Sequence, residues 1–233
     1  MENRKLSIIV PVYNEEKTVG EVIRRLLAVP FVGWAAEIIV VNDGSTDGTA
    51  SVLAGFSSRA RIINLSKNGG KGGAVSAGLK VANGDFAVIQ DADLECSPEE
   101  IPLLLSALGT RDIRAKVAVI GSRELYRENK KRASLSRFGS LFITKLINAL
   151  YGSFLTDASM CYKLFPKATF GYFAAGGFEA ELIFVTRLLK EGYHIIEVPV
   201  SYIPRGTDAG KKIRYRDGIT IIMRILLFRI AGR

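Results

Sequence analysis

Short runs of β-branched and aliphatic residues alternate along the chain with stretches whose apolar positions recur every three or four residues. Leu6 to Val10, Glu37 to Val41, Arg61 to Leu65, Phe86 to Gln90 and Val117 to Ile120 carry the first pattern and are expected strands. Thr18 to Leu27, Thr46 to Phe56, Gly72 to Ala82 and Pro98 to Leu108 carry the second and are expected helices. Ser97 stands before Pro98 as the expected N-cap ahead of a first-turn proline. Strand and helix in alternation predict an α/β fold, a doubly wound and mostly parallel sheet flanked by helices.

The pattern shifts after Gly121. Arg123, Arg127, Lys130, Lys131, Arg132 and Arg137 crowd one segment, and an apolar helical pattern follows from Leu141 to Leu150. Phe178 to Leu189 also reads as a helix, with Glu179 and Glu181 expected to be solvated near its start. His194, the only histidine, precedes Ile195 and Ile196 at an expected strand start, a structural position. The end of the chain, residues 213–233, mixes isoleucine, leucine and phenylalanine with Arg214, Arg216, Arg224 and Arg229. Two readings stay open for it: a basic amphipathic helix in a headgroup plane, or a terminal helix packed on the domain with its arginines in water.

The 233 residues are 48% hydrophobic and 24% charged, which suits one globular domain with a sizeable core and excludes a disordered chain. The net charge of +9 attracts anions, and does not choose among nucleotides, nucleic acid and acidic headgroups. Cys96 and Cys161 form no paired spacing, which argues for a reducing compartment and against a zinc framework. The first apolar run is too short for a secretory segment, and no run reaches the length of a bilayer span. The expected location is the cytoplasmic face of a membrane, peripherally bound.

In an open α/β sheet, ligands sit outside the carboxyl ends of the strands. The residues following each expected strand are polar here: Pro11, Val12, Tyr13, Asn14 and Glu15; then Asn42, Asp43, Gly44 and Ser45; then Lys67 to Gly72; then Asp91, Ala92, Asp93, Leu94 and Glu95. Asp91 and Asp93 at a strand end suit a hard divalent cation that also meets diphosphate oxygens, and Glu95 can add a third carboxylate. Asn68 to Gly73 offers backbone amides and Lys71 to an anion, but lacks the Gly-Lys-Ser/Thr ending of a P-loop, so ATP hydrolysis finds no support. Asp43 suits a base or ribose, while Ser45 or Thr46 suits a helix cap. Cys96 adjoins the carboxylates without a histidine base, which argues against a nucleophilic thiol.

Val10-Pro11-Val12-Tyr13-Asn14-Glu15, Asn42-Asp43-Gly44-Ser45, Asn68-Gly69-Gly70-Lys71-Gly72 and Asp91-Ala92-Asp93-Leu94-Glu95 resemble the successive signatures of the family-2 glycosyltransferases of the GT-A fold. Gly121-Ser122-Arg123, Asp157 to Lys163, and Arg205 through Gly210-Lys211-Lys212-Ile213 resemble the branch that makes dolichyl- or polyprenyl-phosphate sugars. The resemblance implies a GT-A domain over residues 1–212, with a donor and metal half at 1–122, an acceptor half at 123–212, and the amphipathic helix at 213–233. It implies that Pro11, Tyr13, Asn14, Glu15, Asn42, Asp43, Lys71, Gly72 and Asp91 line the nucleotide-sugar pocket. It further implies that Asp91, Asp93 and Glu95 hold Mg2+ or Mn2+. Asn42 stands where relatives often have aspartate, and Glu95 where mannosyl-lipid enzymes often have glutamine, which favours a glucosyl donor.

The implied reaction is inverting transfer of glucose or mannose from UDP-glucose or GDP-mannose to dolichyl or polyprenyl phosphate, with Asp93, Asp157 and Arg123 as the catalytic set. A phosphate monoester has a second pKa of about 6, so it attacks as an anion and needs positioning rather than a strong base. Arg123, Arg132, Ser136, Arg205, Lys211 and Lys212 are the expected phosphate anchors. Asp157 stands where relatives with hydroxyl acceptors keep their base. Phe138, Leu141, Phe142 and the C-terminal helix are expected at an anionic membrane surface. The rival readings are transfer to a soluble or cell-envelope saccharide hydroxyl, and sugar nucleotidyl transfer. Nucleic acid is excluded as a partner because the ligand edge is rich in carboxylates, which repel phosphates unless a metal intervenes.

Overall fold

The computed structural model describes residues 4–112, 114–131, 135–173, 176–177, 179–204 and 215–231. Seven strands form one sheet: β1 (Arg4–Val12), β2 (Trp34–Asn42), β3 (Arg61–Asn64), β4 (Phe86–Ile89), β5 (Val117–Ser122), β6 (Lys163–Pro166) and β7 (His194–Pro199), in the order β3-β2-β1-β4-β6-β5-β7. The helices are α1 (Val19–Ala28), α2 (Thr49–Ala54), α3 (Gly70–Val81), α4 (Ile101–Leu108), α5 (Leu135–Tyr151), α6 (Glu179–Lys190) and α7 (Tyr215–Ala231). β1 pairs in parallel with β2 and β4, β2 with β3, and β5 with β7. The expected mostly parallel sheet is therefore present.

The parallel strands lack polar alternation because helices cover both faces of the sheet. Ile8, Val10, Val40 and Val88 belong to one apolar cluster and Ile9, Ile39, Val41 and Ile89 to the other, so successive residues of one strand feed opposite cores. Close helix packing explains Gly78: a Cβ there would lie 2.8 Å from Ile9 Cγ2 and 3.1 Å from Val41 Cγ2.

Three local expectations are corrected. The helix expected from Thr46 begins at Thr49, because Asp47 Oδ1 accepts the Thr49 N–H at 3.0 Å and holds the preceding residues in a turn. Ser97 stands at the N-cap with Pro98 in the first turn, but of a 3-10 turn over Pro98–Glu100 that precedes α4, and its hydroxyl makes no cap and instead accepts from Arg25 at 3.3 Å. Glu181 is buried rather than solvated.

β6 was not legible as a strand and is antiparallel to both neighbours. Its reversal matters for the site. β1, β2, β4, β5 and β7 all end at one edge of the sheet, and β6 begins there, so the chain from Asp157 to Tyr162 arrives at the edge where the carboxylates stand.

Over its described part the C-terminal helix packs on the domain through one face. Ile221, Ile225 and Phe228 are buried, and α7 packs on α6 and α5. Arg224 pairs with Glu179 at 2.9 Å, and Arg229 lies over the Tyr151 ring. Met223, Leu227 and Ile230 remain exposed.

Candidate active site

The first two strand-end loops are tied to each other. Asn14 has a φ of 53°, in the left-handed region that asparagine tolerates better than most residues. Its N–H donates to Ser45 Oγ at 3.0 Å, and its Oδ1 accepts the Thr46 N–H at 2.8 Å. Pro11 is buried within β1, and Tyr13 stands at the surface. Glu15 is buried; its N–H donates to Thr49 Oγ1 and its carboxylate accepts from Thr18 at 2.8 Å. Buried Asn42 donates to Asn64 at 2.9 Å and accepts the Ser45 N–H at 3.1 Å, which fixes the second loop.

The glycine turn does not present its amides as the sequence suggests. Asp43, 2% exposed, accepts the Gly69 N–H at 2.8 Å, and Asn68 Oδ1 accepts that of Gly70. The Gly72 and Gly73 N–H groups point to the Gly176 carbonyl, at 2.8 and 3.4 Å. This turn docks α3 onto the segment before α6. Lys71 carries its electrostatic contribution: its ammonium lies 2.5 Å from Asp91 Oδ1 and 2.8 Å from Glu181 Oε1. Burial opposes the charge of Lys71, but Asp91 and Glu181 outweigh it and hold its pKa well above the ordinary value.

Glu181 also meets Lys163, at 3.0 Å from its Oε2. Lys163 is 1% exposed and donates in addition to the Met160 carbonyl. Burial favours the neutral acid of Glu181, yet Lys163 and then Lys71 outweigh it and hold its pKa below the ordinary range. Lys163, Glu181, Lys71 and Asp91 thus form one alternating chain of charge beneath the strand ends. Sequence reading missed Glu181 and Lys163, because a carboxylate one turn into a helix gives no sign of which buried lysines face it.

The loop after β4 is held from below. Gln90, fully buried, accepts from the Tyr162 hydroxyl at 2.6 Å and donates to the carbonyls of Asp91 and Cys96. Leu94 takes a φ of 61°, and Asp93 Oδ1 accepts the Glu95 N–H at 3.1 Å. Glu95 Oε2 accepts from the Tyr202 hydroxyl at 2.7 Å. Among the described residues, no three His, Cys, Asp or Glu side chains converge closely enough to hold a cation by themselves. Hard carboxylate oxygens at this strand end still fit Mg2+ or Mn2+, which bind through one or two carboxylates and complete their shell with substrate phosphates. Asp91 Oδ1 is paired with the Lys71 ammonium in this structure.

Cys96 and Cys161 are both buried free thiols with their Sγ atoms 3.1 Å apart, beneath this loop. They are 65 residues apart in sequence. Their spacing gave no pairing, and none could be read before β6 was known to run back to the edge.

On the other side, Arg123 and Asp157 form a bidentate pair: Nε to Oδ2 at 2.7 Å and an Nη to Oδ1 at 2.8 Å. Asp157 is 2% exposed; Oδ2 also accepts the Arg123 N–H at 3.1 Å, and Oδ1 that of Ser159 at 3.3 Å. Its own N–H donates to Glu197. Burial works against the charge of Arg123, but the bonds and charge of Asp157 hold its pKa above the usual value. The guanidinium also donates to Ser140 at 2.9 Å and lies over the Tyr202 ring. Ser136 lies in α5 and its side chain is outside the described residues, as are Arg132, Arg205, Lys211 and Lys212 entirely. His194 is exposed at the start of β7, at the opposite edge.

Comparison with known proteins gives the same frame. The family model described as "Glycosyl transferase family 2" matches residues 7–171. An undecaprenyl-phosphate 4-deoxy-4-formamido-L-arabinose transferase of Salmonella paratyphi A is 33% identical over 66% of the chain and 46% of its own length. The protein of the same name from an Enterobacter species is 34% identical over the same shares. The chain therefore spans just under half the length of these curated relatives. Among solved structures, glucosyl-3-phosphoglycerate synthase of Mycobacterium tuberculosis with Mn2+, UDP and phosphoglyceric acid matches 97% of this chain and 78% of its own, with a TM-score of 0.73 and 23% identity. The same enzyme with Mg2+ and UDP gives a TM-score of 0.71 at 21% identity. These structures share the GT-A fold.

Proposed function

The chain belongs to glycosyl transferase family 2, and on that premise we propose that it moves a hexose, glucose or mannose, from a UDP- or GDP-sugar to polyprenyl or dolichyl phosphate with inversion. Family membership sets aside the nucleotidyltransferase alternative. The proposed donor pocket is formed by Tyr13, Asn14, Asn42, Asp43 and the loop from Asp91 to Glu95. There one or two of the carboxylates of Asp91, Asp93 and Glu95 would hold Mg2+ or Mn2+ against the diphosphate. Such a cation supplies Lewis-acid stabilisation of the leaving nucleotide. Lys71, buried beside Asp91, supports the same charge balance from the protein side.

The engagement of Asp157 is the observation that carries the choice of acceptor. Both its oxygens are held by Arg123, so they are poorly disposed to take a proton from a hydroxyl. A phosphate needs no such base. The guanidinium, held in place by Asp157 and Ser140, supports a role as a pre-positioned anion anchor. The name of the curated relatives, which specifies undecaprenyl phosphate, supports the same acceptor class.

The test is transfer of label from UDP- and GDP-sugars, one pentose donor included, into the organic phase with short polyprenyl phosphate and Mn2+. Asp157→Asn is expected to slow transfer to the lipid phosphate by about tenfold, through a loosened Arg123. Loss of a general base would cost about 1,000-fold or more in variant protein shown by thermal unfolding to be folded, and that result would move the acceptor to a saccharide hydroxyl.

The proposal includes docking on an anionic membrane. Among the described residues no helix is long and apolar enough to cross a bilayer. Phe138 and Phe142, one turn apart on α5, are 65% and 59% exposed, and Met223, Leu227 and Ile230 are exposed on α7. Asp substitution of both phenylalanines is expected to reduce flotation with anionic liposomes severalfold. Unchanged flotation would remove α5 from the contact.

A further inference from the structure

Tyr202 follows β7 and has no assigned part in the reaction, yet it touches both halves of the proposed site. Its hydroxyl donates to Glu95 Oε2 at 2.7 Å, and the adjacent Ile203 N–H donates to the Glu95 carbonyl at 2.9 Å. Its ring carries the Arg123 guanidinium at 5.1 Å from the centroid. Asn129 locks the arrangement: its Oδ1 accepts the Tyr202 N–H at 3.2 Å, and its amide donates to the carbonyls of Arg123 and Val200 at 3.2 and 2.9 Å. One residue thus joins the carboxylate loop after β4, the arginine after β5 and the chain leaving β7.

We infer that Tyr202 is a positioning residue, whose hydroxyl orients Glu95 toward the donor-bound cation and whose ring orients Arg123 toward the acceptor phosphate. The inference rests on the proposed reaction and goes beyond it, since it assigns the registration of the two substrates to one side chain. The two contacts are chemically separable. The hydroxyl acts on a carboxylate as a charge-assisted donor, and the ring acts on a cation through its face.

Two variants separate the contacts. Tyr202→Phe keeps the ring and deletes the hydroxyl; Tyr202→Leu deletes both. Mn2+ uptake is read by electron paramagnetic resonance on protein with UDP or GDP and no acceptor, after thermal unfolding has shown both variants folded. Tyr202→Phe is expected to bind Mn2+ about tenfold more weakly, the usual scale for a hydrogen bond to a charged group, with the acceptor KM unchanged. Tyr202→Leu is expected to show the same Mn2+ loss and a raised acceptor KM. Wild-type Mn2+ binding by Tyr202→Phe overturns the role of the hydroxyl, and an unchanged acceptor KM in Tyr202→Leu overturns that of the ring. Wild-type protein that takes up no Mn2+ overturns the metal-dependent reading itself, and this inference with it.

Discussion

Replacing Asp93 with alanine is expected to lower sugar transfer by about 100- to 1,000-fold, the scale on which loss of a preorganised electrostatic contact to developing charge is felt. The fold should survive. Asp93 is only partly buried, and its Oδ1 accepts the N–H of Glu95, two residues on in the same loop. Chelation by EDTA should reduce the wild type to the level of the variant, with no added effect on the variant itself. Single-turnover transfer with saturating donor checks this, and activity in the variant that still responds fully to Mn2+ would place the cation elsewhere. Asp91→Ala should differ in kind, because Asp91 also neutralises Lys71. Its loss leaves that buried ammonium with Glu181 and should lower stability as well as rate.

The second large effect is on stability. Glu181→Gln keeps the shape of the side chain and removes the charge that balances Lys163 and Lys71. Breaking a buried pair by removing one partner costs about 3–5 kcal/mol, because the remaining charge stays desolvated. For a domain of this size that corresponds to a fall in Tm of roughly 10 °C. The effect should depend on pH with a definite sign. The folded carboxyl of Glu181 titrates below its ordinary value, held down by Lys163 and Lys71 against the opposing effect of burial. Its stabilisation is therefore complete above the unfolded value of about 4.3 and is lost as pH falls through the lowered folded value. Wild type and variant should differ most near neutrality and converge in acid. Thermal unfolding across that range measures it, and a gap that widens on acidification would contradict the assignment of charge.

The bidentate pair of Arg123 and Asp157 bears on the rival acceptors in a way that residue types alone do not. An aspartate facing open solvent beside a donor pocket would suit a hydroxyl acceptor. The same aspartate, 2% exposed and bonded to a guanidinium through both oxygens, fits the proposed phosphate acceptor better. The glycine turn changes in the same direction. Its amides dock α3 on Gly176 and Asp43, which leaves Lys71 as the feature of that turn that reaches the carboxylate loop.

The alternation of strands and helices up to β5, the polar residues at the strand ends and the Asp-x-Asp loop are legible in the sequence. Each depends on neighbours a few positions apart: the pleat's period of two, the helix's 3.6, and the rule that parallel strands present their ends together. The antiparallel β6 escaped because Lys163–Pro166 is a short apolar run whose direction is set by its partners. The burial of Asp157 and Glu181, the pairing of Cys96 with Cys161 and the bond from Tyr202 to Glu95 depend on that reversal and on helix docking. The last two join residues 65 and 107 positions apart. Residue type and local period thus determined which groups stand at the sheet edge. Only the tertiary structure decided which of them are already committed to each other, because a charge or hydrogen-bond donor chooses its partner by distance in space, and sequence separation does not encode that distance.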